Sequence, residues 1–390
     1  MKVVAKSVAG IDVHQEQITV TILIGEANET EPRPISRRFG TITAQLRECG
    51  EWLKSHKVAQ VLMESTGQYW RPVWQVLETF GFKMILCNPR FVKNMPGKKT
   101  DQKDSEWLSE LARYGLVSAS FVPPKAIQEL RESTRLRKKI IESTTRIKNE
   151  IHNILQRSNI KLTTYITDIY SGSGLKIINL LLNGEKISLR SVSKCMNSRM
   201  KSTPEQVFAS LDGVLSYNDH FLMRLNFDLL TKHQHIIDEL SVHIVEQTAE
   251  FSDLLQRLQD IPGISLRTAE IVLAEVGSDV SPFPDAHRLA SWAGLCPGNH
   301  ESAGVSHSSR TRHGNSYLKP ALLTAALGAK ATNKSGLKDY YWRLTSRMGK
   351  QKAKVALAHK LLRIIYVLIK TGQTYQEYQK DQRVQITLAK

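Results

Sequence analysis

Apolar residues near the start of the chain fall into two short runs. Val8-Ala9-Gly10-Ile11 is continuous and ends at Asp12, and a second run alternates strictly at Ile18, Val20, Ile22 and Ile24. A continuous run reads as a buried strand and a period of two as a half-buried one, so together they predict a hairpin that opens a sheet. The pattern further predicts a third strand over 37–42, a helix over 44–55, and a short buried strand, Gln60-Val61-Leu62-Met63, that delivers Glu64 at its carboxyl end. A helix over 69–79 leads to another strand, Met84-Ile85-Leu86-Cys87, stopped by Asn88-Pro89. A basic loop follows, and then Asp101-Gln102-Lys103-Asp104 at the head of a helix carrying Trp107, Leu108 and Leu111.

From about residue 124 the period changes. Ile140, Thr144, Ile147, Ile151 and Ile154 recur at steps of four and three, a coiled-coil stripe. The other faces of this helix carry Arg131, Arg135, Arg137, Lys138, Lys139, Arg146 and Lys148, a basic surface suited to phosphate or simply to solvent. A second helical stretch over 221–258, with Leu222, Leu225, Leu229, Ile236, Leu240, Leu254 and Leu258 in phase, is expected to fold back on the first as an antiparallel partner. The insert between them, about 160–217, is weakly patterned; its Ser171-Gly172-Ser173-Gly174 turn and basic patch over 194–201 assign no chemistry. Asp260-Ile261-Pro262-Gly263-Ile264 and a helix over 267–276 resemble a helix-hairpin-helix, whose exposed N–H groups, here at Gly263, hold phosphate. An ordinary interhelical turn fits equally well. The expected organisation is therefore an α/β domain over 1–122, a long helical coiled-coil region over 123–258, and a mainly α-helical domain over 259–390.

Charge narrows the partner. Lys plus Arg number 54 against 37 Asp plus Glu, a formal +17, which suits a polyanion better than a small metabolite. Nucleic acid is the first candidate. A membrane is the rival, but the chain lacks a run of about twenty apolar residues, and its start lacks a signal-peptide core, so a cytoplasmic protein is expected. Cys49, Cys87, Cys195 and Cys296 are scattered, without a C-x-x-C pair or zinc-ligand spacing, and read as reduced thiols.

Within that frame, Asp12, Glu64, Asp101 and Asp104 stand where a ribonuclease-H-like nuclease holds two metal ions. Asp101 and Asp104, three apart at a helix start, share a face. Two divalent ions acting on an in-line phosphoryl displacement need several anionic oxygens to hold them. Helix capping or a solvated strand end would account for each acid alone; the set in this order favours metal. Farther on, Trp292 to Gly298 introduces a polar stretch with Ser302, Ser306, Ser308, Ser309, Arg310, Arg312 and His313, followed by Lys319. Hydroxyls among cations fit phosphoryl chemistry, and they also fit an ordinary flexible loop.

Gly10-Ile11-Asp12-Val13, Met63-Glu64-Ser65-Thr66-Gly67, Lys99 to Asp104, and the block from Trp292 through Gly304 to Gly314 together resemble the DEDD-type insertion-sequence transposases. These are bridge-RNA-guided recombinases joining a RuvC-like domain to a C-terminal transposase domain through a coiled coil. The resemblance spans nearly the whole chain. It implies that Asp12, Glu64, Asp101 and Asp104 bind magnesium, two ions per site, and that a serine attacks a DNA phosphate to form a phosphoserine link. By the family's pattern that serine is Ser302, ahead of Ala303-Gly304, with Ser306, Ser308 and Ser309 as lesser candidates. It further implies donor and target DNA, a structured guide RNA, a homo-oligomer (dimer or tetramer) with an active site shared between protomers, and action at the nucleoid. Arg310, Arg312 and Lys319 are expected at phosphate. The alternative is a RuvC-like metal-dependent junction nuclease without serine chemistry, which would leave the Ser302 region unexplained.

Overall fold

The computed structural model describes residues 3–26, 32–65, 67–89, 100–117, 119–184, 187–298, 300–302, 305–308, 310–333 and 336–388, with only the backbone of 300–302, 305–308 and 383–388. The basic loop expected before Asp101 lies largely outside them, as do Ala303, Gly304 and Ser309. The chain forms two compact units, Met1–Val122 and Pro123–Lys390.

The first unit is α/β. Strands β1 (Ser7–Val13) and β2 (Gln17–Ile24) form the opening hairpin, β3 (Arg33–Gly40) extends it antiparallel, and β4 (Gln60–Glu64) and β5 (Lys83–Cys87) join in parallel, giving the order β3-β2-β1-β4-β5. The third strand starts four residues earlier than its apolar positions suggest. As an edge strand it is held by backbone pairing along all of β2, so most of its side chains are exposed and polar. Helices α1 (Thr43–Ser55) and α2 (Trp70–Glu78) close one face over Ile11, Val20, Phe39, Leu46, Leu53, Met63 and Leu77. Helix α3 (Asp101–Tyr114) closes the other over Val8, Leu62, Cys87, Leu108 and Leu111.

How closely α3 lies on β1 is set at Gly10. A Cβ there would fall 2.2 Å from the Ser105 carbonyl and 2.3 Å from the Ser109 nitrogen, far inside contact, so only glycine lets the helix cross the strand at this depth. Ser105, buried in the crossing, is satisfied by Thr21 at 2.7 Å. At the helix's far end the fully buried Arg113 donates to the carbonyls of Gly25 (3.2 Å) and Glu26 (2.8 Å). The helix is pinned at its middle and its end, and its first turn is thereby fixed over the end of β1.

Among the described residues the second unit is helical but for one small hairpin. Helix α4 (Lys125–Arg157) is followed by four short helices, α5 (Leu162–Tyr165), α6 (Gly172–Leu182), α7 (Leu189–Cys195) and α8 (Pro204–Ala209), and by the long α9 (Tyr217–Gln247). Contacts of Arg137 with Ser241, Thr144 with His233 and Arg157 with Asp219 run in opposite order along α4 and α9, so the two are antiparallel. The insert is a small core of its own, in which Ile160, Ile177, Ile178, Val192 and Val207 pack on Ile151, Ile154, Leu155 and Met223. A single 3-10 turn (Ala249–Phe251) leads to α10 (Ser252–Gln259), α11 (Leu266–Val276), α12 (Ala286–Trp292), the hairpin β6 (His300–Ser302) and β7 (Val305–Ser308), and then α13 (Leu318–Ala331), α14 (Gly336–Met348), α15 (Lys350–Thr371) and α16 (Tyr375–Leu388).

Two expectations need correction here. On α9 the seam with α4 is formed by Met223, His233, Ile237, Ser241 and Ile244, whereas Leu225, Leu229 and Ile236 are exposed. The helix is apolar on two faces, and polar residues in the true seam make the outer row look more regular. On α4, Arg131, Arg135 and Arg137 do not form an outward basic face: they turn onto Glu275 and Glu270 of α11.

Candidate functional site

The acids of the first unit are brought to the end of the sheet by its register. Ile11 pairs with Met63, so the next residues, Asp12 and Glu64, come side by side where these neighbouring parallel strands end. Asp101 and Asp104 occupy the first turn of α3. That turn is capped by the Thr100 side chain, which accepts from the Lys103 nitrogen at 3.3 Å, so neither aspartate is needed as the cap.

One donor in this site is absent from the acid motif. His14 Nε2 lies 3.0 Å from Asp12 Oδ2 and 3.5 Å from Asp101 Oδ1. The three residues offer ligand atoms within 4.8 Å of one another, and Gln17 donates to Asp101 at 3.4 Å. The sequence signal for His14 is its place two residues after Asp12, which puts both on one face of an extended chain. Glu64 and Asp104 lie outside this tightest group. Burial holds the Asp12 carboxyl above the usual carboxylate range; His14 pulls it back by charge and hydrogen bond, and the charges of Asp104 and Asp101 push it up again. Burial, with the charge of Glu64, pushes the Cys87 thiol up to about 12, which keeps it protonated and inert beside the acids.

This donor set fits a divalent cation. Carboxylate oxygens converge from β1 and α3, an imidazole completes the group, and the charges of Asp101 and Asp104 oppose the ionisation of Asp12, a repulsion that a hard cation would remove.

In the second unit the expected serine loop is an antiparallel hairpin. His300 pairs with Ser308, Glu301 with Ser306 and Ser302 with Val305, with a register irregularity at His300/Glu301. Ser302 is the last residue of β6, at the turn. Below it the stem continues through a bridge between Pro297 and Thr311 and a Gly298 N–H bond to the Arg310 carbonyl at 2.7 Å. The base closes where Gly294 meets Gly314: a Cβ on Gly314 would lie 2.2 Å from the Gly294 nitrogen. Arg312 donates to the Gly298 carbonyl (3.4 Å) and Lys319 to the Thr311 hydroxyl (2.7 Å), both bracing the stem, while Arg310 is exposed beside it.

Beneath the stem sits Glu275, fully buried. Arg135 reaches it with two bonds of 2.7 Å, Arg131 lies 3.6 Å away, and Asn315 donates at 2.6 Å. The other side of Asn315 caps α13, accepting from Tyr317 N (2.9 Å) and Leu318 N (2.8 Å). Lys138 donates to the Ser316 carbonyl at 2.9 Å, and Arg135 lies over the Tyr317 ring. The root of the serine hairpin is thus tied to α4 through the Glu275 carboxylate, the Ser316 carbonyl and the Tyr317 ring, links with no periodic signature in sequence. Gly263, expected at phosphate, has a left-handed backbone (φ +88°) and faces α13, where a Cβ would fall 2.3 Å from the Ala325 carbonyl. Packing alone therefore accounts for a glycine there.

Comparison with known proteins follows this division. A family model of DEDD transposases (DEDD_Tnp_IS110) matches residues 9–160, which include all four acids and His14. A second, described as the transposase IS116/IS110/IS902 family, matches 255–342, which include Glu275 and the serine hairpin. The transposase for insertion sequence element IS1111A of Coxiella burnetii is 27% identical over 336 residues, covering 83% of this chain and 80% of that protein. Pilin gene-inverting proteins of Moraxella bovis and Moraxella lacunata are each 30% identical over 340 residues, covering 84% of this chain and 86% of theirs.

Proposed function

The chain belongs to the DEDD transposases of the IS110 type and is a DNA transposase or recombinase, and from that premise we propose that it cuts and rejoins DNA through a phosphoserine at Ser302, assisted by divalent metal at its acid site. The observation that carries the metal half is the convergence of Asp12, His14 and Asp101, with Asp104 close enough to oppose Asp12's ionisation. We assign magnesium, held by Asp12, Glu64, Asp101 and Asp104 in a RuvC-like arrangement. Bound there, divalent ions supply positive charge to the attacking and departing oxygens. The serine half is supported by Ser302 standing at the turn of a hairpin whose root is fixed. Its hydroxyl attacks phosphorus, an Oγ–P bond forms, one P–O bond of the backbone breaks, and the departing sugar oxygen takes up a proton. The reverse attack by a sugar hydroxyl reseals the strand, so phosphoester energy is conserved and no nucleotide is consumed. Arg310, with Arg312 and Lys319 where their stem bonds allow, meets the phosphate.

The relatives named for gene inversion fit such a reaction, since inversion is recombination within one molecule. The +17 charge fits two nucleic acids, DNA and a structured guide RNA that delegates sequence choice to base pairing. Exposed Phe221, Leu225, Leu229 and Ile236, one apolar row along α9, support assembly into a homo-oligomer. Among the described residues no helix is long and apolar enough to cross a membrane.

The test is the covalent intermediate. Denatured reactions with magnesium should contain protein joined to a DNA end by an alkali-labile bond, and Ser302→Ala should remove it with a loss of at least about a hundredfold in joining. Continued cleavage by Ser302→Ala would instead favour a metal-dependent junction nuclease.

A further inference from the structure

A row of residues crosses the first unit's sheet from the acid site to its edge. Asp12 pairs with Thr19 of β2, and Thr19 pairs with Arg38 of β3. Directly opposed residues share a face, and this is the face covered by α3, since Gly10 and Thr21, two places back along their strands, lie under Ser105. Strand spacing puts the Arg38 α-carbon about 10 Å from that of Asp12, within reach of one extended side chain. Arg38 also borders, with His14, Gln17, Gly40, Gln45 and Glu48, an open cleft of about 850 Å³.

The side chains along this row are not all committed. Arg37, next in sequence, is paired with Glu48 and lies over the Phe39 ring. The Arg38 side chain is exposed and enters no hydrogen bond or ion pair among the described residues. Thr19 Oγ1, between Asp12 and Arg38, is buried and has no partner among them. A cluster of carboxylates repels the backbone it must act on, so a strand led to Asp12 and Asp101 needs cations flanking it. An unpaired guanidinium, which can grip a phosphate with two parallel bonds, fills that need.

We propose that Arg38 is the phosphate clamp of a DNA subsite flanking the acid site. The strand acted on at Asp12 and Asp101 continues toward the edge strand β3 and into the cleft, where Arg38 takes a neighbouring phosphate. This rests on reading the acids as the DNA-cleaving site. The occupant is DNA rather than guide RNA because the row begins at the residues assigned to the cleavage chemistry.

The experiment measures binding of the full chain, with magnesium, to a labelled random-sequence DNA duplex across a series of salt concentrations, since a phosphate contact is independent of sequence. Arg38→Ala should weaken binding and lower the slope of log affinity against log salt by about one. Arg38→Lys should restore the slope with intermediate affinity, and it serves as the test should the alanine variant misfold by circular dichroism. Arg33→Ala, at the far end of β3 opposite Ile24, should keep the parental slope. An unchanged slope in Arg38→Ala, or a reduced slope with labelled duplex RNA alone, overturns the proposal. Failure of the underlying reading shows separately, as absence of magnesium-dependent cleavage by the parent protein.

Discussion

Asp12 is a carboxylate whose surroundings oppose its charge. Burial and two neighbouring acids raise its pKa in the folded protein above the unfolded value. A group raised in this way favours the folded state while protonated; that contribution is complete below the unfolded value and is lost as pH rises through the folded one. At neutral pH without metal, the ionised Asp12 is therefore a destabilising residue. Asp12→Asn should raise the apo melting temperature at pH 7 and give no gain near pH 3, and added magnesium should reverse the order by stabilising only the parent. A melting temperature for Asp12→Asn at or below the parent's at pH 7 in chelator would refute this. At this scale sequence says much about the acids and little about their company. Asp12, Glu64, Asp101 and Asp104 were legible because strand ends and a helix start place them, whereas His14 and Gln17 enter through the hairpin turn, where no period marks them.

The elements explain which expectations held. The opening hairpin, the buried strand before Glu64 and the helix after Asp101 follow from apolar period, because each has one face on a core. The seam of α9 was misread by one position, since His233 and Ser241 lie in it while Leu225 and Leu229 do not. The β6–β7 hairpin carried no apolar alternation and read as a loop. Nor did charge on α4 reveal that Arg135 and Arg137 face inward, because the acids that neutralise them are more than a hundred residues away. That burial has a measurable cost. Glu275→Ala takes from Arg135 and Arg131 the buried carboxylate they share and leaves the Asn315 amide without its acceptor, so it should destabilise the protein by about 3–5 kcal/mol in denaturant unfolding. A loss below about 1 kcal/mol would mean that solvent already screens the cluster.

On the scale of the whole molecule, the acids belong to one compact unit and Ser302 to the other. If protomers share a site, an inactive Asp12→Ala protein mixed with an inactive Ser302→Ala protein should recover part of the joining activity, because a mixed oligomer holds one intact set. Mixed oligomers that form and stay inactive would place both sets within one protomer. The same division shapes what kind of change the protein tolerates. The chain enters and leaves the serine hairpin at a single crossing, where Gly294 and Gly314 touch backbone to backbone. Leu295 is buried just inside that crossing, and Pro297, Gly298, Arg310 and Thr311 build the stem, so a change of length is expected to be tolerated only in the tip beyond them, while the two glycines themselves admit no side chain. If Ser302 is the nucleophile, its tip is a cartridge on a fixed mount, and a different reach into DNA is to be sought by changing the loop beyond the stem alone.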